Sequence, residues 1–360
     1  MLTIYKYSLP FKTPFITAAG NYTERTGLLI CLEESGHFFW GEAAPLPGFS
    51  TESAEDISFR LQYLKTDITS FFSGSFDLPE LIKFVNTTTD APSLQFALSY
   101  LGISLLSHRK RCNMGELFGI HSSKIVHIND VIGHMDSEKW KNAIRESIAR
   151  GFSCIKLKAL YPLDKLALCL GEIHRNNPHV TFRLDANRSW PKDESTQINQ
   201  SIKHLPIEYI EEPFQDIDVS TLTAAQNPFD FPIALDETVQ NPENLKAALK
   251  RPEQVVIIKP ALLGNFCEWV GTIQTYRSSF ENIVVTTVLE TAIGNSAIAD
   301  VAGLIGSRMR SHGLNTGKLF RNNLFLISEF ENGKIDMPFL DVRKISPKYL
   351  NNEYISLLDS

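Results

Sequence analysis

Six charged residues in the middle of the chain stand where they could do chemistry. Lys156 and Lys158 fall in the run Cys154-Ile155-Lys156-Leu157-Lys158, Asp185 closes Arg183-Leu184-Asp185, Glu211 closes Tyr209-Ile210-Glu211, Asp236 closes Ala234-Leu235-Asp236, and Lys259 follows Ile257-Ile258. Each run reads as a short strand. Alternation puts Lys156 and Lys158 on one face and Ile155 and Leu157 on the other. The same parity groups Arg183, Asp185 and Asn187, then Tyr209 with Glu211, Ala234 with Asp236, and Ile257 with Lys259.

If these strands are neighbours about 5 Å apart, three carboxylates converge in one crevice, and such a cluster needs a cation. A hard divalent ion with oxygen ligands fits Asp185, Glu211 and Asp236: Mg²⁺ keeping some of its waters, or Mn²⁺ in its place. In a closed eight-stranded barrel the strands of Lys158 and Lys259 would be diametrically opposed. The two amines would then face opposite sides of whatever small-molecule carboxylate the metal holds, a geometry for proton transfer at a carbon acid. Lys156, beside Lys158, would favour a neutral amine there by like-charge repulsion.

The elements that would position these groups follow from the spacing. Strand ends at Lys158, Asp185, Glu211, Asp236, Lys259 and about Thr287 are separated by 27, 26, 25, 23 and 28 residues, each one strand, helix and return loop. Ile125 to Val131 reads as a preceding strand, and Asp136 to Arg150 as a helix ending at Gly151. A succession of βα units this regular predicts a closed parallel barrel, with charged residues at the strand ends where barrel enzymes keep their chemistry. Before it, residues 1 to 50 alternate like strands, with a turn at Glu34-Ser35-Gly36, and Thr51 to His108 reads as helical from a start at Ser53. The expected division is an α+β capping domain over 1–120 with the tail, about 320–360, packing back on it, and a barrel over 121–319.

Those segments carry a resemblance. CIKLK, RLDANRSW, YIEEP, ALDET, VVIIKP and LETAIGNSAIA are similar to the enolase superfamily, in the muconate-lactonizing subgroup with a lysine on each side of the metal. GEAAPLPGFSTES and HGLNTGKLF resemble more specifically the o-succinylbenzoate synthase family of menaquinone biosynthesis. The resemblance implies an α/β fold, a (β/α)7β TIM-like barrel with an α+β capping domain, and Asp185, Glu211 and Asp236 as metal ligands. It also implies a syn-dehydration of 2-succinyl-6-hydroxy-2,4-cyclohexadiene-1-carboxylate through an enediolate, in which Lys158 removes the α-proton and then assists the departing hydroxyl. Lys259, still protonated, would stabilise the anion from the other face.

Two cap segments are candidate lids, Thr17 to Arg25 and Pro45 to Thr51, the second offering Gly48, Phe49 and Ser50 to the substrate. Glu290, Thr291 and Gly294 resemble a segment that contacts substrate, and fit equally an ordinary start to a helix. Arg183, inward by parity, would orient a carboxylate or the lysine pair, or else form a structural ion pair. His312 lies where the last barrel strand should be and could touch the site.

Other classes find less support. Racemisation of N-acylamino acids, or cycloisomerisation, would use the same two lysines and is the enzymatic alternative; dipeptide epimerisation lacks its carboxylates in Gly313-Leu314-Asn315-Thr316-Gly317. A catalytically inactive scaffold would hardly keep five charged groups turned into a cavity. A histidine-metal barrel lacks an HxH at any strand end. With 35 Lys and Arg against 41 Asp and Glu, the net charge of −6 excludes a polyanion as the natural partner. Five scattered cysteines without a CxxC read as reduced thiols, and the absence of a long apolar run leaves the cytoplasm as the expected compartment and no membrane as a partner.

Overall fold

The computed structural model describes residues 1–17, 20–133, 137–219, 226–240, 242–276, 280–324, 330, 332–338 and 341–358. Residues 18–19 of the first lid segment, the helix start expected at Asp136, and His134 lie outside them.

The N-terminal part is a meander: β1 (Leu2–Thr17), β2 (Gly20–Glu34) and β3 (His37–Ala43) pair antiparallel in sequence order. Ser35 and Gly36, at φ 51° and 78°, make the two-residue turn that the sequence signals, because both positions need a left-handed backbone. Helices α1 (Ala54–Ser73), α2 (Leu78–Thr88), α3 (Pro92–Lys110) and α4 (Met114–Phe118) follow, and Ser53 caps α1 in a reciprocal box with Asp56. Helix α3 packs so closely on β3 that a Cβ at Gly41 would stand 2.3 Å from the Ala97 carbonyl oxygen.

The sequence's single strand over Ile125 to Val131 divides in two. Residues of β4 (Ile125–His127) pair antiparallel with β12 (Lys334–Asp336) of the tail, and the barrel strand β5 (Asp130–Ile132) begins beyond them. The remaining units are α5 (Ser137–Ala149), β6 (Cys154–Lys158), α6 (Asp164–Asn176), β7 (Thr181–Asp185), α7 (Ser195–Ile202), β8 (Ile207–Glu211), β9 (Ile233–Leu235), α8 (Pro242–Leu249), β10 (Val255–Ile258), α9 (Pro260–Leu263), α10 (Phe266–Tyr276), β11 (Ile283–Val285) and α11 (Ala292–Ile305). Strands β5 to β11 form one parallel sheet in chain order. It closes through His312 and Gly313, which bridge in parallel to Ile128 on one edge and Thr286 on the other. The fold is thus an α/β (β/α)7β TIM-like barrel with an α+β capping domain. The tail strand β13 (Ile355–Leu357) pairs with β1, tying the C-terminal segment to the cap.

Alternation separates two cores. Phe182, Leu184, Ile155 and Leu157 join the large core between sheet and helices. Tyr209, Ala234, Val255, Ile257 and Val284 form a separate cluster inside the barrel, below the charged strand ends. Among the described residues no helix is long and apolar enough to cross a membrane. All five cysteines are free thiols.

Candidate active site

The strand ends bring the charged residues together. Lys156 reaches across the barrel mouth to two neighbours, its ammonium 2.6 Å from Glu211 Oε1 and 3.0 Å from Asp185 Oδ2. Lys259, one residue past β10, sits 2.5 Å from Asp236 Oδ2. Lys158 pairs in register with Asp185 and lies on the same face as Lys156, half-buried. Among the described residues it has no ion-pair partner, unlike the other two lysines. Strands β6 and β10 are four apart in the sheet order, so Lys158 and Lys259 stand on opposite sides of the mouth.

The electrostatics are those of a crowded carboxylate cluster. Burial and the neighbouring Asp185 and Asp236 hold Glu211 well above the usual carboxylate range, against the pull of Lys156. Burial also raises Asp236, but Lys259 and Lys156 outweigh it and bring that carboxyl below its ordinary value. Burial works against the charge of both Lys156 and Lys259, and the surrounding carboxylates more than compensate, so both remain ammonium ions.

The donor set suits a hard cation. All three candidate ligands are carboxylates, and two of their oxygens, Glu211 Oε2 and Asp236 Oδ1, are buried without a hydrogen-bond partner. Among the described residues no three His, Cys, Asp or Glu groups are already drawn in as a metal's ligands are. The ammonium ions of Lys156 and Lys259 pair with these carboxylates at their other oxygens.

The cap completes the mouth. The segment after Leu46 folds back in a tight turn in which Leu46 O accepts from the backbone N–H of Phe49 and Ser50, and Ser50 Oγ accepts from Leu46 N. Gly48 at its tip has φ 83°, a conformation that favours glycine. The turn lays the ring of Phe49 over the Lys259 ammonium, 5.5 Å from the ring centroid.

Residues 1–101 match the family model described as MenC, N-terminal domain, and residues 139–305 match the one described as enolase C-terminal domain-like. The first lies in the cap and the second across the barrel. The chain belongs to the enolase superfamily.

Within the superfamily it resembles proteins named o-succinylbenzoate synthase. That of Desulfotalea psychrophila is 27% identical over 352 residues, covering 90% of this chain and 95% of the relative. That of Haemophilus influenzae is 26% identical, covering 83% and 84%. Solved enolase-superfamily structures share the fold. A probable mandelate racemase from Alicyclobacillus acidocaldarius superposes with a TM-score of 0.78 at 19% identity, covering 98% of this chain and 94% of its own. The L-Ala-D/L-Glu epimerase of Bacillus subtilis gives 0.77 at 18%, covering 94% and 96%.

Two residues expected near this enolase-type site lie elsewhere. The guanidinium of Arg183 is wholly buried inside the barrel, below the carboxylates. It donates to Glu208 at 2.8 Å, to Asn129 Oδ1 at 3.0 Å and to Ser311 O at 2.6 Å, and stacks 4.7 Å over Tyr209. Of its alternatives, then, the structural ion pair is the one formed. His312 accepts from Val285 N at Nδ1, bonds Ser307 O through Nε2, and is pushed down to about 4 by burial, so it is a neutral strand-closing residue. Glu290 and Thr291 are buried against the cap: Val288 N donates to Glu290, while Thr291 donates to Glu42 through both its N–H and its hydroxyl.

Other contributors went unassigned in the sequence. Glu212, the second glutamate of YIEEP, is fully buried and accepts from the N–H of Asp236 and Thr238, from the Thr238 hydroxyl and from Arg188. It therefore fixes the loop carrying Asp236. Residues Asn187, Arg188 and Glu212 hold left-handed φ of 43°, 60° and 40° at the ends of β7 and β8, strain that marks a site over-determined by its surroundings. Burial and then Asp236 push Glu237 up to about 7, and its Oε1 takes a 3.4 Å bond from Asn187. The doubled acids in YIEEP and ALDET were the available signal, but parity assigns only one of each pair to the barrel interior.

Proposed function

We propose that the chain is an o-succinylbenzoate synthase, which removes water from 2-succinyl-6-hydroxy-2,4-cyclohexadiene-1-carboxylate to give o-succinylbenzoate in menaquinone biosynthesis. One observation carries the reading: a cap that matches the MenC N-terminal domain closes over a barrel mouth with lysines on opposed strands. In this reading residues 1–120 and about 320–360 form the capping domain and 121–319 the barrel.

Asp185, Glu211 and Asp236 hold the divalent cation, Mg²⁺ or Mn²⁺. When bound, that ion draws charge from the substrate carboxylate and acidifies the adjacent C–H. Lys158, which has no ion-pair partner among the described residues, is the base; it takes the α-proton at Nζ and, as ammonium, returns a proton to the hydroxyl leaving from the same face. Lys259 keeps its proton, because Asp236 stabilises it, and neutralises the developing negative charge from the opposite face. Lys156 remains cationic and orients Asp185 and Glu211. Phe49 shields Lys259 from water, and Gly48 and Ser50 shape the turn that places it there. Glu290 and Thr291 position the loop after the seventh strand rather than meeting substrate directly.

A second reading is favoured by the fold, since the solved neighbours include racemases and epimerases and the two lysines would serve racemisation of N-acylamino acids equally well. One experiment separates them: NMR of the purified protein with Mg²⁺ and, in parallel, the cyclohexadiene substrate or N-succinyl amino acids in D₂O. The synthase reading expects o-succinylbenzoate to form rapidly. Deuterium entry at the amino-acid α-carbon with no dehydration would overturn it in favour of the racemase.

A further inference from the structure

The cap and the barrel meet at two buried charges that the chemistry does not use. Arg25, near the middle of β2, is 2% exposed. Its guanidinium faces carbonyl oxygens from three segments. It donates to Ala44 and Pro45, at the root of the turn that carries Phe49, and to Thr26 on its own strand at 3.2 Å. From the barrel it takes Val288 O at 3.1 Å and Leu289 O at 3.0 Å, in the loop after β11. Glu42, on β3, answers from the same junction. Its carboxylate accepts from Tyr7 OH at 2.7 Å, from the N–H and hydroxyl of Thr291, and from Gly294 N at 2.8 Å, and so caps the start of α11 from the other domain. The fit is close: a Cβ at Gly294 would lie 2.8 Å from Glu42 Oε2 and 2.7 Å from Glu290 Cβ.

Burying a guanidinium and a carboxylate is costly unless every donor and acceptor finds a partner. Plain cohesion between two domains is more cheaply supplied by apolar packing. What the fork adds is direction, because its planar N–H groups tie two carbonyls of the cap and two of the barrel to one rigid body, which a lysine cannot do.

We propose that Arg25 is a positioning residue for the reaction: with Glu42 it latches the root of the Phe49 turn to the loop after β11, and so sets Phe49 over Lys259. The inference rests on the synthase reading for its kinetic consequence, but the latch itself can be observed without turnover. A loosened latch misplaces a lid residue, and errors of about 1 Å in such positioning cost up to about a hundredfold in rate.

The test uses Arg25→Lys, Glu42→Gln, Phe49→Ala and the Arg25→Lys/Phe49→Ala double variant in the full-length protein. Segment-resolved amide exchange of Arg25→Lys should accelerate over 44–51 and 288–294 and stay unchanged in the strands β6 to β10. The variant's kcat/KM should fall by about tenfold or more, and the double variant should lose no more than the worse single variant, since Arg25 acts through Phe49. Unchanged exchange, acceleration spread over the whole chain, or additive kinetic losses would each overturn the proposal. If Arg25→Lys does not fold, Glu42→Gln gives the same exchange readout from the other half of the latch. Wild-type protein with no synthase turnover but with the local exchange signature would reject the substrate assignment while leaving the latch standing.

Discussion

The ring of Phe49, carried by the cap, lies 5.5 Å from the ammonium of Lys259, carried by the barrel, and that ammonium is itself 2.5 Å from Asp236. Three elements far apart in sequence therefore converge on one cation. The aromatic face stabilises the ammonium by roughly 0.5–2 kcal/mol and covers it from water. Phe49→Ala should lower kcat/KM by about tenfold, and Phe49→Trp should recover most of that loss. Steady-state kinetics of the two variants test this; equal losses would show that an aromatic face over Lys259 is not what the position supplies.

Among the described residues Lys158 differs from its neighbours in having no ion-pair partner. Lys158→Ala should reduce turnover by about 10²–10⁴-fold, the range for loss of a positioned base. Mg²⁺ affinity, read by isothermal titration, should change little, because no ligand is removed. A variant that retains wild-type turnover would deny Lys158 the role of base.

Arg183 is held inside the barrel by Glu208, and Glu208 lies below its ordinary value: burial raises it, and Arg183 and Arg310 lower it further. Glu208→Ala strands a buried guanidinium, so stability should fall by about 3–5 kcal/mol with the turnover of the folded fraction nearly unchanged. Denaturant unfolding and an activity assay on one sample measure both. Lost turnover at unchanged stability would return Arg183 to the substrate.

Glu290 is pushed up to about 7, first by burial and then by Glu42, against Arg25. Its folded value lies above the unfolded one, so the folded state is penalised as pH rises past about 4.5, and fully so above about 7. Glu290→Gln, neutral throughout, should escape that penalty. Between pH 5 and 8 wild type should lose on the order of 3 kcal/mol relative to the variant, read from unfolding curves across pH. Parallel curves would show that Glu290 does not titrate in this window.

Much of the barrel was legible because spacing and parity are local. The strand ends at Lys158, Asp185 and Glu211 fall where the alternation puts them, and the inward set Tyr209, Ala234 and Ile257 forms a cluster of its own. Parity could not say how deep a residue sits: Arg183 shares its face with Asp185 but lies a layer lower, where Glu208, displaced by the irregular register between β7 and β8, pairs with it. Nor could it assign Ile125 to His127 to the tail, since their partner β12 lies some 200 residues away. Glu42 and Arg25 stayed hidden for the same reason. Glu42 reads as an ordinary strand residue, and Arg25 as the end of a lid segment, until the loop after β11 is brought against them.

The most direct measurement follows the diene absorbance of 2-succinyl-6-hydroxy-2,4-cyclohexadiene-1-carboxylate with the purified protein in Mg²⁺, then in excess EDTA, then with Mg²⁺ restored. A dehydrating site built on Asp185, Glu211 and Asp236 predicts rapid loss of absorbance with o-succinylbenzoate as product, arrest by EDTA and recovery with the metal. Turnover indifferent to EDTA, or none in folded protein that binds Mg²⁺, would contradict it.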